Sequence, residues 1–177
     1  LFAGADILGA AVPVVPSVGT FRHGARLLGK ADDVVDFVRG LDRAYDLGKL
    51  RSVGEGVWES AAGLRYGADP QFGNRVEHVL KHAVDDPVRR GAHGVFDAGR
   101  TGVLKVIDEA WSIIQKGGAA VSVTQQGKRT VYTVDMGKRI GYVGGQAGAA
   151  AGRPAAQHLR LVIENGRDVI TAFPVNP

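Results

Sequence analysis

The chain has 177 residues, of which 45% are hydrophobic and 23% charged, enough for one globular core and an extension. It has no cysteine, which excludes disulfides, thiolate metal sites and a cysteine nucleophile. The net charge of +4 is unevenly placed: residues 1–61 hold 7 Lys and Arg against 8 Asp and Glu, and residues 62–177 hold 15 against 10, as expected of a C-terminal part that binds a polyanion such as nucleic acid.

In chain order, Leu1 to Thr20 is apolar but carries Asp6, Pro13 and Pro16, so no membrane-spanning helix is expected. Neither a basic leader nor a starting Met precedes it, which suggests a piece cut from a longer polypeptide. Phe21 to Leu50 has helical periodicity, with Val34, Val35, Phe37 and Val38 as an apolar stripe and a break near Gly40. A glycine-rich stretch from Gly54 to Gly63 places a boundary near residue 60. Two regions follow: a helical segment over 1–60 and a second domain over 61–177.

The second region opens with a predicted helix over Asn74–Val84. Val76, Val79, Leu80 and Ala83 form its buried face, and Arg75, His78 and His82 share a neighbouring stripe with Lys81 further round. Histidine gives and takes protons near neutral pH, so this stripe suits acid–base chemistry on an anion. A polar loop over Asp85–Gly94 contains His93. A second helix over Thr101–Lys116 ends at Gly117 as C-cap.

The period then changes to two. Strands are predicted at Val121–Thr124, Thr130–Val134 and Arg139–Val143. A small-residue loop over Gly144–Ala156 follows, then strands His158–Glu164 and Arg167–Phe173. Asn165-Gly166 joins the last two as a hairpin turn. Helices first and strands after imply an α+β domain, with N-terminal helices packed on one face of an antiparallel sheet. A two-residue turn pairs Glu164 with Arg167 and puts Leu161 opposite Ile170 and Leu159 opposite Ala172 on the core face. The other face then carries Arg160 opposite Thr171 and His158 opposite Phe173. Arginine clamps phosphate, threonine donates to a phosphoryl oxygen and phenylalanine stacks on a base.

His78-Val79-Leu80-Lys81-His82, His93-Gly94-Val95-Phe96 and the terminal Val169-Ile170-Thr171-Ala172-Phe173-Pro174 resemble the C-terminal toxin domains of bacterial polymorphic toxins of the contact-dependent growth-inhibition and Rhs types. Among these the pattern is similar to the barnase–EndoU–colicin–RelE group of ribonucleases, and Val12 to Thr20 resembles the pretoxin segments that precede such domains. The resemblance implies helices on a four- to five-stranded antiparallel sheet. It implies RNA cleavage without metal or other cofactor: a base takes the ribose 2′-OH proton, the oxygen attacks phosphorus, and an acid protonates the departing 5′-oxygen. It also implies transfer RNA as a frequent target, secretion by a specialised system into the target-cell cytoplasm, and a separate immunity protein, expected to be acidic.

On this reading His78 and His82 are the acid–base candidates, with His93 third among the histidines. Arg160 and Thr171 bind the scissile phosphate, and Lys81, Arg139, Tyr142 and Phe173 hold RNA. Two rivals use the same residues. A metal-dependent nuclease would take His78 and His82 as i, i+4 ligands with His93 or His158 as a third, although the helix lacks the Glu of a His-Glu-x-x-His motif and Lys81 repels a cation. A non-catalytic RNA- or partner-binding module would need only the basic charge and the aromatic strand face.

Overall fold

A computed structural model describes residues 50–177, so residues 1–49 of the expected helical segment over 1–60 lie outside the described residues. Within them the element order begins with five short strands: β1 (Arg51–Gly54), β2 (Val57–Glu59), β3 (Arg65–Tyr66), β4 (Ala68–Asp69) and β5 (Gly73–Asn74). Then come helix α1 (Arg75–Leu80), a 3-10 turn (Lys81–Ala83), strand β6 (His93–Phe96) and the long helix α2 (Gly99–Lys116). The remainder is β7 (Val121–Gln126), β8 (Arg129–Asp135), β9 (Gly141–Gly144), α3 (Gly145–Ala150), β10 (Ala155–Ala156), β11 (His158–Glu164) and β12 (Asp168–Val175).

This corrects the expected fold class. Instead of helices packed on four or five antiparallel strands, strand predominates, in a seven-stranded mixed sheet ordered β1-β2-β3-β12-β11-β8-β7. A three-stranded sheet, β10-β9-β6, and the β4–β5 pair accompany it. The sheet is mixed because β3 runs parallel to β12, meeting it at Arg65 opposite Asp168, while its other pairs are antiparallel.

The missed strands have identifiable causes. β1 to β5 are two to four residues long and rich in glycine and charge, so no apolar alternation marks them. They are held by ladder bonds and by Glu59, whose carboxylate meets Arg51 at 2.6 Å, Arg167 at 3.3 Å and Arg65 at 3.5 Å. β6 is buried at all four positions and so does not alternate at all. β1 and β2 precede residue 60, so the sheet takes in residues on both sides of the expected boundary.

The core lies between the sheet and α2. Val103, Leu104, Ile107, Ala110 and Trp111 recur at three- and four-residue spacings and are the buried face of α2. They meet Leu159, Leu161, Ile163, Val134, Val169 and Ala172 of the sheet and Val76, Val79 and Leu80 of α1 in one cluster. Gly117 closes α2 with its N–H on the carbonyls of Ile113 and Ile114.

The final hairpin turns at Asn165-Gly166, both with positive φ, as a type I′ turn requires. The register differs from expectation. The ladder starts with Glu164 opposite Asp168, and a bulge at Ile170 displaces it once more, so Arg160 faces Phe173, Leu161 faces Ala172 and Val162 faces Thr171. The two displacements add to an even number, so the residues from Thr171 onward keep their predicted face while changing partners; before the bulge the single displacement puts Val169 in the core and leaves Ile170, expected there, outside it.

β12 is covered on its β3 side in two different ways. Its first residue pairs with β3; beyond the bulge, α1 and β6 lie alongside instead. Two glycines permit the close approach. A Cβ at Gly94 would run into the Pro174 carbonyl, and one at Gly141 into the Val95 carbonyl. Gly94→Ala is therefore expected to destabilise the fold by about 1–3 kcal/mol, seen as a lower Tm. Gly91→Ala, at an ordinary φ with open space around it, should change stability by less than about 0.5 kcal/mol in the same thermal melt.

Candidate functional site

Asp69 is the anchor of the site, and the sequence reading did not select it. It ends β4, ahead of Pro70, in the turn to β5. Its Oδ1 accepts the backbone N–H of Gln71 at 2.8 Å and of Phe72 at 2.7 Å, so the side chain caps its own turn. Its Oδ2 is left for two partners, Arg75 Nη1 at 2.5 Å and His78 Nδ1 at 2.8 Å. Only 2% of the Asp69 side chain is exposed. Burial alone would raise its carboxyl, but the Phe72 and Gln71 amides, His78 and Arg75 together hold it below the usual carboxylate range.

Asn74 caps α1 by accepting from the Glu77 amide at 2.8 Å, which starts the helix where Arg75 and His78 both reach Asp69. Arg75 Nη1 also donates to the Ile170 carbonyl at 3.0 Å, tying α1 to the bulge of β12. The ionised Asp69 accepts from His78 Nδ1–H, which leaves the Nε2 lone pair pointing toward Lys81 Nζ at 3.2 Å. Phe72 backs both residues: its ring meets the imidazole edge-on at 5.1 Å, and the Lys81 ammonium sits 4.8 Å from its centroid.

These side chains border a cleft of about 310 Å³. His78, Lys81 and His82 come from α1 and the 3-10 turn, Arg89 from the following loop, His93 from β6, and Thr171 and Phe173 from β12. The structure thus brings together six of the residues selected from sequence. Burial first, then Lys81 and Arg75, lowers the His78 pKa against the opposing pull of Asp69. Burial and then Arg89 and Arg75 likewise lower Lys81.

His82 has a different character from that expected. The helix tightens after Leu80 into the 3-10 turn, which breaks the straight i, i+4 stripe and turns His82 inward. It is 5% exposed, donates Nδ1–H to the Gly94 carbonyl at 2.8 Å, and lies in a three-ring stack between His93 (4.7 Å) and Phe173 (5.2 Å). Burial, with lesser contributions from His93, Lys81 and His78, pulls its pKa down to about 3. A neutral, wedged imidazole is a wall of the cleft rather than a proton donor at neutral pH. His93 is likewise fastened, through Nε2–H to the Val84 carbonyl at 3.1 Å, while its buried Nδ1 has no partner.

Three expected ligands of RNA lie elsewhere. Arg160 and Thr171 are not paired: Thr171 borders the cleft, and Arg160 sits on the sheet face beyond Phe173. Arg139 is held by both Asp97 carboxylate oxygens, at 2.7 and 3.2 Å, away from the cleft. Tyr142 pairs with Val95 and Ala155 in the small sheet, and its neighbour Val143 is the residue that reaches the cleft. Phe173 is present but gives one face of its ring to His82. Among the described residues no group of three histidine, aspartate or glutamate side chains is placed to hold a metal ion. Nor is any described helix long and apolar enough to cross a membrane.

No protein-family model, curated protein or solved structure matches the chain. The functional reading therefore stands on the geometry of the cleft.

The shifts carry a pH signature. His82 has a folded pKa near 3 against an ordinary value of 6.5, so between these values the unfolded chain binds a proton that the folded chain refuses. Stability should fall as pH drops through this window, by up to about 1.4 kcal/mol per pH unit. His82→Asn, whose amide can replace Nδ1–H on Gly94, should flatten that slope in urea titrations. In histidine-selective NMR, His78 should titrate below its ordinary value, and Asp69→Asn should move its midpoint further down, since Asp69 favours the charged ring.

Proposed function

We propose that this domain is an endoribonuclease that cleaves RNA by metal-independent transesterification, with His78 as the general base. The observation that carries the reading is the line from buried Asp69 through His78 Nδ1 to an Nε2 directed toward the Lys81 ammonium, at the edge of a cleft. A carboxylate on one ring nitrogen sets the tautomer and orientation of the other, the arrangement by which a histidine accepts a proton from a hydroxyl.

His78 Nε2 takes the proton of the ribose 2′-OH, and the oxygen attacks the adjacent phosphorus. Lys81 lies beside the base and supplies fixed charge to the phosphorane, and the Thr171 hydroxyl donates to a non-bridging oxygen. In-line displacement breaks the bond to the 5′-oxygen on the side away from His78; water entering the cleft protonates that oxygen as it leaves, and the exposed Arg89 adds positive charge to the cleft lining. A lowered Lys81 pKa is no obstacle, since an incoming phosphate favours the charged form. Arg75 and Asp69 position the base and touch no substrate.

The biological setting that accompanies this reading is that of an interbacterial toxin. The activity would be lethal in a target-cell cytoplasm, with transfer RNA among the substrates and an acidic immunity protein protecting the producer. The basic charge of residues 62–177 supports both an RNA substrate and an acidic partner.

Purified protein incubated with total bacterial RNA in EDTA should yield fragments ending in 2′,3′-cyclic phosphate. His78→Ala and Asp69→Asn should each lower the rate by about 10²–10⁴-fold. His82→Asn should retain far more activity than either, its loss following its loss of stability. Fragments with 5′-phosphate ends, or full activity in His78→Ala, would remove His78 from the mechanism; binding without any cleavage would make the domain an RNA-binding module.

A further inference from the structure

The sheet has a second face that the core does not use. Alternation places Leu159, Leu161 and Ile163 of β11 against α2, and so turns His158, Arg160 and Val162 to the other side. The register extends this side across four strands. Ser122 of β7, Thr133 of β8, Arg160 of β11 and Phe173 of β12 form one row, and Thr124, Val131, Val162 and Thr171 form the next. Both rows end at the cleft, because Phe173 and Thr171 also border it. At about 4.8 Å per strand each row runs for about 14 Å.

Arg160 stands in the middle of the first row. Its Nε is buried without a hydrogen-bond partner, and no carboxylate among the described residues pairs with it. The acidic groups of this face are engaged elsewhere. Glu164 is held by Arg129 at 2.9 Å, Asp168 opposite it accepts from Asn165 at 2.9 Å, and Asp135 accepts from the Gly137 amide at 2.8 Å and from Gln157 at 2.7 Å. With Nε enclosed, a guanidinium held half-buried between Thr133 and Phe173 and engaged by no carboxylate has its terminal nitrogens left to meet a phosphate oxygen.

We infer that this face is a track for the backbone of single-stranded RNA, with Arg160 gripping a phosphate outside the cleft and the strand passing over Phe173 to reach His78. The inference rests on the proposed reaction for its direction of travel. Its chemistry is that of a flanking phosphate site, with hydroxyls from Ser122, Thr124 and Thr133 beside the unpaired Arg160. The occupant is single-stranded because a cleft walled by three stacked rings admits a splayed nucleotide, and a paired helix cannot deliver one.

The test is fluorescence anisotropy with a short 2′-O-methyl oligoribonucleotide, which the reaction cannot cut. Wild-type protein should bind it, more tightly than the same sequence as a duplex. Arg160→Ala and the bulkier Arg160→Gln should each weaken binding about tenfold or more and reduce the slope of log affinity against log salt by about one. Arg160→Lys should restore the slope but only part of the affinity, since it lacks the forked geometry. Thermal melts identify any variant whose loss is one of folding. Unchanged affinity in both Arg160→Ala and Arg160→Gln, or equal binding of duplex, overturns the track. Because binding is read without turnover, a protein that grips the strand through Arg160 yet cuts no RNA leaves the track standing and removes only the reaction.

Discussion

The buried carboxylate of Asp69 is the constraint on which the site depends. It is taken out of water at a turn, where it must be satisfied from four directions, and it is: two amides of its own turn, Arg75 and His78. A carboxylate so enclosed is stable only in its charged form and only with those partners in place. It therefore fixes the turn, the start of α1 and the orientation of the His78 ring together. Through Arg75 and the Ile170 carbonyl the same network reaches β12, the strand that supplies Thr171. Residues from three separate segments are held in one arrangement by one anion.

The other wall of the cleft depends on packing rather than charge. On the side opposite β11, β12 pairs with β3 only at its first residue, and beyond the bulge β6 and α1 close against it. That approach needs glycine at positions 94 and 141, where backbone meets backbone. The result is the Phe173–His82–His93 stack, which buries the His82 imidazole and keeps it neutral. The cleft is thus asymmetric. One side is charged, with a histidine between a carboxylate and a lysine; the other is flat and aromatic. A nucleotide has the same asymmetry, with phosphate at one end and a base at the other.

Individual residues were legible in the sequence to different degrees. The hairpin at Asn165-Gly166 was legible because two left-handed residues in succession have few alternatives, and the faces of β11, and of β12 beyond its bulge, followed from alternation. The partners across that hairpin were not, because a bulge leaves no mark in composition. His78 and His82 look equivalent on a helical wheel. A single tightened turn makes one a half-buried ring beside a carboxylate and the other a buried ring with a carbonyl on its N–H. Arg139 looked free and is occupied by Asp97, 42 positions away in sequence.

By itself, the sequence determined the periodicities: α2, the β7–β8 and β11–β12 hairpins, the basic balance and the histidine-bearing helix all arise from contacts within a few residues. Tertiary structure alone decided that β1 to β6 are strands, that the sheet is mixed, and that Asp69 rather than a second histidine is the partner of His78. The physical reason is the range of the interactions. Periodicity reports which side of an element is buried, whereas a carboxylate's partners, a parallel pairing and a close glycine contact depend on chain segments that meet only in the folded state.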